Sequence, residues 1–280
     1  MADNEFIVNL PNLAQEARTE GLEWPSTAAD GRYTTRNQLG AMSPRVSELA
    51  RKFINDSLQL GGKVLEIGCA YGLICMEALE SGVRDYVAND VDEGHLKILA
   101  RKVMDDMPQR AEHLTLLHGS FPESTKSFSN GTFDAILVDN VLHFFTETQI
   151  KLAFKEFKRL LKPGGKLFGA ATTAYIGMVR KDFIETYERK VSAFLSNPTN
   201  LPVPGFIART WDAMDRARFS DEELQSVPIT RGHSFVFDQR IVAILLSEEK
   251  FVILVNEYET LDQKPWSYDG RERLVFIAQA

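Results

Sequence analysis

The chain has 280 residues, 44% of them hydrophobic and 25% charged, a composition that excludes disorder as the main state and a length that suits one large α/β domain carrying an insertion. Its 32 basic and 39 acidic residues leave a formal charge of −7, which removes bulk electrostatic attraction to nucleic acid or an anionic membrane. Cys69 and Cys75 are the two cysteines, too few for a disulfide framework.

The opening "MADNEFIVNLPNLAQEARTEG" lacks the basic start and apolar run of a secretory signal. No apolar stretch reaches the roughly 18 residues that a membrane-spanning helix needs. Reduced thiols, a cytoplasmic location and no membrane insertion are the expectations. The oligomeric state is left open.

In chain order, residues 45–60 repeat apolar positions at helical spacing (Val46, Leu49, Ala50, Phe53, Ile54, Leu58), with Ser43 before Pro44 as the expected cap and first-turn pair. Strands and helices then alternate. "KVLEIG" is a strand and "LICMEALESG" a helix closed by Gly82; "DYVAND" is a strand and "EGHLKILARKVMDDM" a helix stopped by Pro108. "LTLLHG" is a strand followed by a loop and a short helical segment. "FDAILVDN" is a strand, "TETQIKLAFKEFKRLLK" a helix ended by Pro163 and Gly164, and "KLFGAAT" a strand. Near-continuous apolar strands, each followed by a helix, predict a doubly wound, mostly parallel sheet covered on both faces.

Beyond Thr172 the rhythm breaks. Residues 174–233 read as a mostly helical insertion containing "NPTNLPVPG"; a helix capped by Asp238 follows, then the strands "FVILVNEYE" and "RLVFIAQA", which lack a crossover helix and therefore pair antiparallel. Four segments result: an N-terminal helical cap or lid (1–44), a Rossmann-like core (45–173), a substrate-lid insertion (174–233) and the closing helix and strands (234–280).

The chemistry concentrates at "VLEIGCAYG". A dinucleotide fingerprint needs glycine at positions 68, 70 and 73, but Ala70 and Leu73 stand at the last two, and no G-K-[ST] follows. What remains is E-x-G-x-[GA]-x-G, formed by Glu66, Gly68, Ala70 and Gly72. Small residues let a ligand approach the backbone, and the next helix offers unpaired N–H groups to an anion such as a carboxylate. Asp90, at the end of the second strand, can accept hydrogen bonds from ribose hydroxyls. Asp92 is the better cap for the following helix.

The blocks "VLEIGCAYG", "VANDVDEGHLKILARK", "LTLLHGSF", "FDAILVDNVLHFF" and "LLKPGGKLFG", in this order and spacing over residues 63–172, resemble the class I S-adenosylmethionine-dependent methyltransferases. The resemblance implies a seven-stranded sheet of order 3-2-1-4-5-7-6 with strand 7 antiparallel, and S-adenosylmethionine as cofactor. It places the cofactor's methionine and ribose on Gly68, Cys69, Ala70 and Gly72 with support from Glu66, its ribose hydroxyls on Asp90, and adenine against Val91, Ser120 and Phe121. Asp139 and Asn140 fall where such enzymes contact the cofactor and the reacting group.

His143, after the fourth strand, has a side chain suited to general-base work, and Asp139 is the other catalytic candidate. Tyr33 and Arg36 in the N-terminal segment, and His143, Phe144, Tyr175 and Trp211 in or near the insertion, are the expected acceptor contacts. His95, His113, His118 and His233 are scattered without metal-ligand spacing, so no metal is expected. The leading expectation is methylation of O or N in a small molecule by in-line displacement. Protein or peptide methylation is the alternative, and a cofactor-binding partner subunit without turnover is the non-enzymatic one. The absence of N-P-P-[YF], replaced by "DNVL", weighs against methylators of bases and glutamine.

Overall fold

The computed structural model describes residues 5–28, 31–221, 224, 232–261 and 266–280. The chain divides into two compact units, one formed by Met1–Val138 with Arg159–Lys166 and the other by Asp139–Lys158 with Leu167–Ala280.

The first unit opens with β1 (Ile7–Val8), α1 (Leu10–Thr19), and the two-stranded ribbon of β2 (Tyr33–Thr34) and β3 (Ala41–Met42). Next comes α2 (Glu48–Leu60), whose Leu49, Ala50, Phe53 and Ile54 turn inward at the spacing of one helical face. Ser47, rather than Ser43, caps it: Ser47 Oγ accepts from Ala50 N at 3.1 Å, while Ser43 Oγ is occupied by Arg45 N in a local turn at 3.1 Å. Proline thus lies in the approach to the helix and not in its first turn. Gly61, in the left-handed region at φ 66°, ends α2 by donating to Ser57 O.

β4 (Val64–Ile67), α3 (Leu73–Ser81), β5 (Tyr86–Asp90), α4 (Glu93–Asp106), β6 (Leu114–His118) and β7 (Phe133–Asp139) continue the alternation. All four residues of β4 and all five of β5 are buried, as strands covered on both faces must be. α5 (Glu147–Leu160) and β8 (Leu161–Thr172) are each divided between the units.

In the first unit the strands run β1-β6-β5-β4-β7-β8. In the second they run β8-β12-β11, with β11 (Val252–Glu259) antiparallel to β12 (Arg273–Gln279). The seven strands from β4 to β8 together with β11 and β12 therefore have the order 3-2-1-4-5-7-6 that the resemblance implied. The sheet has one strand more than expected, because Ile7 and Val8 pair antiparallel with Leu117 and Leu116. A two-residue strand carries no readable periodicity.

β8 also begins five residues before the expected "KLFGAAT". Pro163 and Gly164 lie within it, and a side chain on Gly165 would crowd Asp134 O and Lys162 O at 3.0 Å each. Bare glycine lets the strand pass close to β7, and Lys162 Nζ pairs with Asp134 Oδ2 at 2.6 Å.

The N-terminal helix packs on α4 through Arg18–Asp105 (2.6 Å) and Lys97, which meets Glu16 and Glu20 at 3.0 and 2.7 Å.

In the second unit, α6 (Lys181–Ser196), β9 (Phe206–Ile207), α7 (Thr210–Ala213) and β10 (Ser234–Phe235) occupy the insertion and its end, β9 pairing antiparallel with β10. Residues 222–223 and 225–231 of the expected insertion lie outside the described residues. α8 (Gln239–Glu248) is capped by Asp238, which accepts from Arg240 N and Ile241 N at 2.9 and 3.1 Å.

Replacing Ser47 by alanine is expected to lower unfolding stability by about 1 kcal/mol, as loss of a helix cap does. Urea unfolding of Ser47→Ala and Ser43→Ala, compared with the unsubstituted chain, checks which serine is the cap.

Candidate functional site

The turn from β4 into α3 holds three residues in the left-handed region within five positions: Gly68 (φ 69°), Ala70 (φ 48°) and Gly72 (φ 82°). Alanine there carries a conformational penalty that glycine does not. At Gly72 even a methyl group would run into the Leu99 side chain of α4. The loop is fastened by Cys69 N donating to Asn89 O at 2.9 Å and Gly72 N to Cys69 O at 2.8 Å.

Asp90 stands beside this loop at 5% exposure. A carboxylate so buried needs its lone pairs filled. Its Oδ2 accepts from Ala70 N at 2.8 Å; its Oδ1 accepts from Asp92 N at 2.8 Å and faces His95 Nδ1 at 3.1 Å. A carboxylate has about four acceptor sites, so room for one further donor remains on Oδ2. Taking both ribose hydroxyls therefore requires an existing donor to yield.

The neighbouring strand ends are tied as firmly. Asn89 Nδ2 donates to Leu117 O and Gly119 O at 2.9 Å each, and Gly119 N donates to Asp90 O at 2.9 Å. Asp92, as expected, caps α4 by accepting from Gly94 N at 2.8 Å.

The other expected cofactor residues of this unit divide by exposure. Val91 presents an apolar side chain at 55% exposure, Ser120 is exposed, and Phe121 is buried. Glu66 is buried in β4 and accepts from Tyr86 OH at 2.7 Å. Burial pushes the Tyr86 phenol well above its ordinary range, with the Glu66 charge adding to it, so Tyr86 is a donor. Burial likewise raises the thiols of Cys69 and Cys75, so both stay protonated and are poor nucleophiles.

The structure also brings N-terminal residues to the Asp90 cluster. Arg36 N donates to His95 Nε2 at 3.0 Å, and Tyr71 OH donates to Thr34 O at 2.8 Å. Trp24 lies with its ring 5.9 Å from that of Tyr33 and 6.0 Å from that of Tyr71.

In the second unit, Asp139 Oδ1 accepts from Arg273 Nη2 at 2.7 Å and from Asn140 Nδ2 at 2.8 Å. Arg273 also donates to Glu259 at 2.8 Å. Burial pulls the Arg273 pKa down, but the Asp139 and Glu259 carboxylates outweigh it and the guanidinium ends above its ordinary value. Asn140, at φ 57°, donates to Ala170 O at 3.0 Å. His143 is buried at 6% exposure, its ring 4.1 Å from that of Phe144, whose carbonyl meets His233 Nε2 at 2.9 Å.

Tyr175 and Trp211 are engaged elsewhere. Tyr175 is buried in a network with Glu188, Asp238 and Arg240, under the guanidinium of Arg271; burial and then Glu188 raise its pKa. Trp211 packs against Met214 and Phe219. Among the described residues no group of acidic, histidine and cysteine side chains is arranged to hold a metal.

His95 and Arg273 escaped the sequence reading. His95 had a signal: it stands three positions after the cap Asp92, where a polar side chain reaches back over the helix start, as glutamate does in a capping box. Arg273 had none, because its partners lie 134 and 14 residues away.

A small-residue loop running into a helix, with a buried aspartate at the end of the adjoining parallel strand, is the arrangement of a doubly wound domain. Residues 64–165 match the family described as "Methyltransferase domain", so this stretch is a methyltransferase domain. The chain is 26% identical over 119 residues, 42% of its length, to a ribosomal protein L11 methyltransferase of Syntrophomonas wolfei, and the match spans only 36% of that protein.

Solved structures share the fold. The [4+2]-cyclase SpnF has a TM-score of 0.56 and 13% identity, the alignment covering 96% of this chain and 92% of that one. The 1,6-didemethyltoxoflavin-N1-methyltransferase of Burkholderia thailandensis, with bound 1,6-didemethyltoxoflavin and S-adenosylhomocysteine, has a TM-score of 0.52 and 16% identity, covering 83% of this chain and 78% of that one. That a cyclase has this fold means the fold alone does not assign methyl transfer.

Among the described residues no helix is long and apolar enough to cross a membrane.

Replacing Gly72 by alanine is expected to cost about 2 kcal/mol, from the Leu99 overlap and the left-handed backbone together. Ala70→Gly should change stability by less than about 1 kcal/mol, because relief of strain and greater freedom of the unfolded chain oppose each other. Denaturant midpoints of the two variants check both.

Proposed function

We propose that the protein is an enzyme that transfers the methyl group of S-adenosylmethionine to an oxygen or nitrogen of a small-molecule acceptor. The observation that carries this reading is Asp90, buried beside the left-handed loop and retaining an acceptor site on Oδ2. The donor set fits the cofactor: Gly68, Cys69, Ala70 and Gly72 would hold the methionine and ribose portion, Glu66 would brace the loop through Tyr86, Val91 would cover one adenine face, and Ser120 and Phe121 would border its edge. When bound, the cofactor supplies an electrophilic methyl group on sulfur.

The chain's own part is to orient the acceptor, exclude water and receive a proton. Asp139 is committed to the Arg273 guanidinium at 2.7 Å. We assign it, with Asn140, to shaping the end of β7, and His143 to the base. In this reading Tyr33, Arg36 and Phe144 are the acceptor contacts, whereas Tyr175 and Trp211 are held by their own partners. Burial of His143 supports an acceptor small enough to enter the protein, as does the 1,6-didemethyltoxoflavin bound to the Burkholderia thailandensis enzyme. The ribosomal protein L11 methyltransferase keeps the protein acceptor as the alternative.

Isothermal titration with S-adenosylmethionine and S-adenosylhomocysteine, joined to transfer of labelled methyl to panels of phenols, amines and peptides, tests the proposal. Binding should be at least about tenfold weaker in Asp90→Asn, the scale of a lost charged hydrogen bond. His143→Gln should lower kcat while leaving cofactor affinity unchanged. Absence of binding overturns the methyltransferase reading; binding with methyl transfer to peptides alone overturns the small acceptor; and binding without any transfer returns the non-enzymatic partner subunit.

A further inference from the structure

The imidazole of His95 is buried, 1% exposed, and both of its nitrogens have partners from different parts of the chain. Arg36 N–H is a donor and lies 3.0 Å from Nε2, so Nε2 must present a lone pair. A neutral ring with a bare Nε2 carries its proton on Nδ1, and Nδ1 faces Asp90 Oδ1 at 3.1 Å. The hydrogen bonds therefore run in one direction, from the Arg36 amide to His95 and from His95 to Asp90.

The N-terminal segment has a second tether close by. Tyr71, whose ring meets that of His95 edge-on at 4.8 Å, donates its hydroxyl to Thr34 O. The Arg36 side chain crosses the start of α4 so closely that a methyl group on Gly94 would strike it.

From this arrangement we propose that His95 is a positioning residue that couples the seating of the 33–36 segment to the orientation of the Asp90 carboxylate that receives the nucleoside. The proposal rests on the cofactor reading above. With Oδ1 held by His95 and by the Asp92 amide, Oδ2 is the oxygen left to turn toward a ribose hydroxyl. The same ring that fixes this orientation fastens the Arg36 backbone. Seating the segment and filling the subsite therefore favour one another, and the coupling is reciprocal.

The two nitrogens can be separated by substitution. Asparagine at position 95 places an amide near the position of Nδ1 and keeps the donor to Asp90 but loses the contact to Arg36. Glutamine reaches the position of Nε2 and keeps an acceptor for Arg36 but loses the Asp90 donor. Phenylalanine keeps the ring against Tyr71 and loses both.

The test combines S-adenosylhomocysteine titration with hydrogen exchange of the Arg36 amide in the full chain. His95→Asn should bind within about threefold of the unsubstituted protein, whereas His95→Gln and His95→Phe should bind at least about tenfold more weakly, the effect of losing a charged hydrogen bond. Arg36 exchange should be slow in the unsubstituted protein and His95→Gln, and at least about tenfold faster in His95→Asn and His95→Phe, as for an opened hydrogen bond. Asparagine and glutamine variants alike in both measurements would reduce His95 to packing and overturn the proposal.

Imidazole nitrogen shifts of the unsubstituted protein give a test that no folding failure can block: a proton on Nε2 in place of Nδ1 also overturns it. If the unsubstituted protein fails to bind S-adenosylhomocysteine while Arg36 exchange follows the expected pattern, it is the cofactor reading that fails and the tether that stands.

Discussion

The first unit is organised around a buried negative charge. An isolated carboxylate taken out of water is penalised by several kcal/mol, and Asp90 escapes this by drawing donors from the β4–α3 loop, from the backbone that starts α4, and from His95. Each donor fixes a piece of structure: Ala70 in its left-handed conformation, the entry into α4, and, through His95, the N-terminal segment. The local conformations that look costly in isolation are the ones that bring these donors to a single carboxylate.

That constraint explains which parts of the molecule were legible in the sequence. Strand and helix identities followed from apolar runs such as "KVLEIG" and "DYVAND", where burial on both faces leaves little ambiguity. The Asp92 and Asp238 caps followed from residue type and position. The order of the seven main strands followed from the resemblance and not from periodicity. β1 was illegible because two residues are too few to show a period, and the cap of α2 was misplaced because Ser43 and Ser47 each present a hydroxyl near its start. Only the observed bond from Ala50 N separates them.

The candidate site was legible where chemistry is local in sequence and obscure where it is not. Glu66, Gly68, Ala70, Gly72 and Asp90 lie on consecutive elements of one supersecondary unit, and their spacing announces them. The engagement of Asp139 by Arg273 joins residues 134 apart and makes the aspartate an ion-pair partner. Tyr175 shows the same lesson: an aromatic residue in the insertion invites an acceptor role, whereas its hydroxyl is built into a network with Glu188, Asp238 and Arg240. Ion pairs and buried networks are tertiary facts, and no local pattern encodes them.

We propose that Asp90 is the nucleoside-binding carboxylate, held in place by the protein before any ligand arrives. The most direct measurement is a crystal structure with S-adenosylhomocysteine. The account predicts a ribose hydroxyl donating to Asp90 with the bonds from Asp92 N and His95 retained, so that any donor that yields is Ala70 N. A nucleoside bound away from Asp90, or an Asp90 side chain that abandons His95 to reach it, would contradict the account.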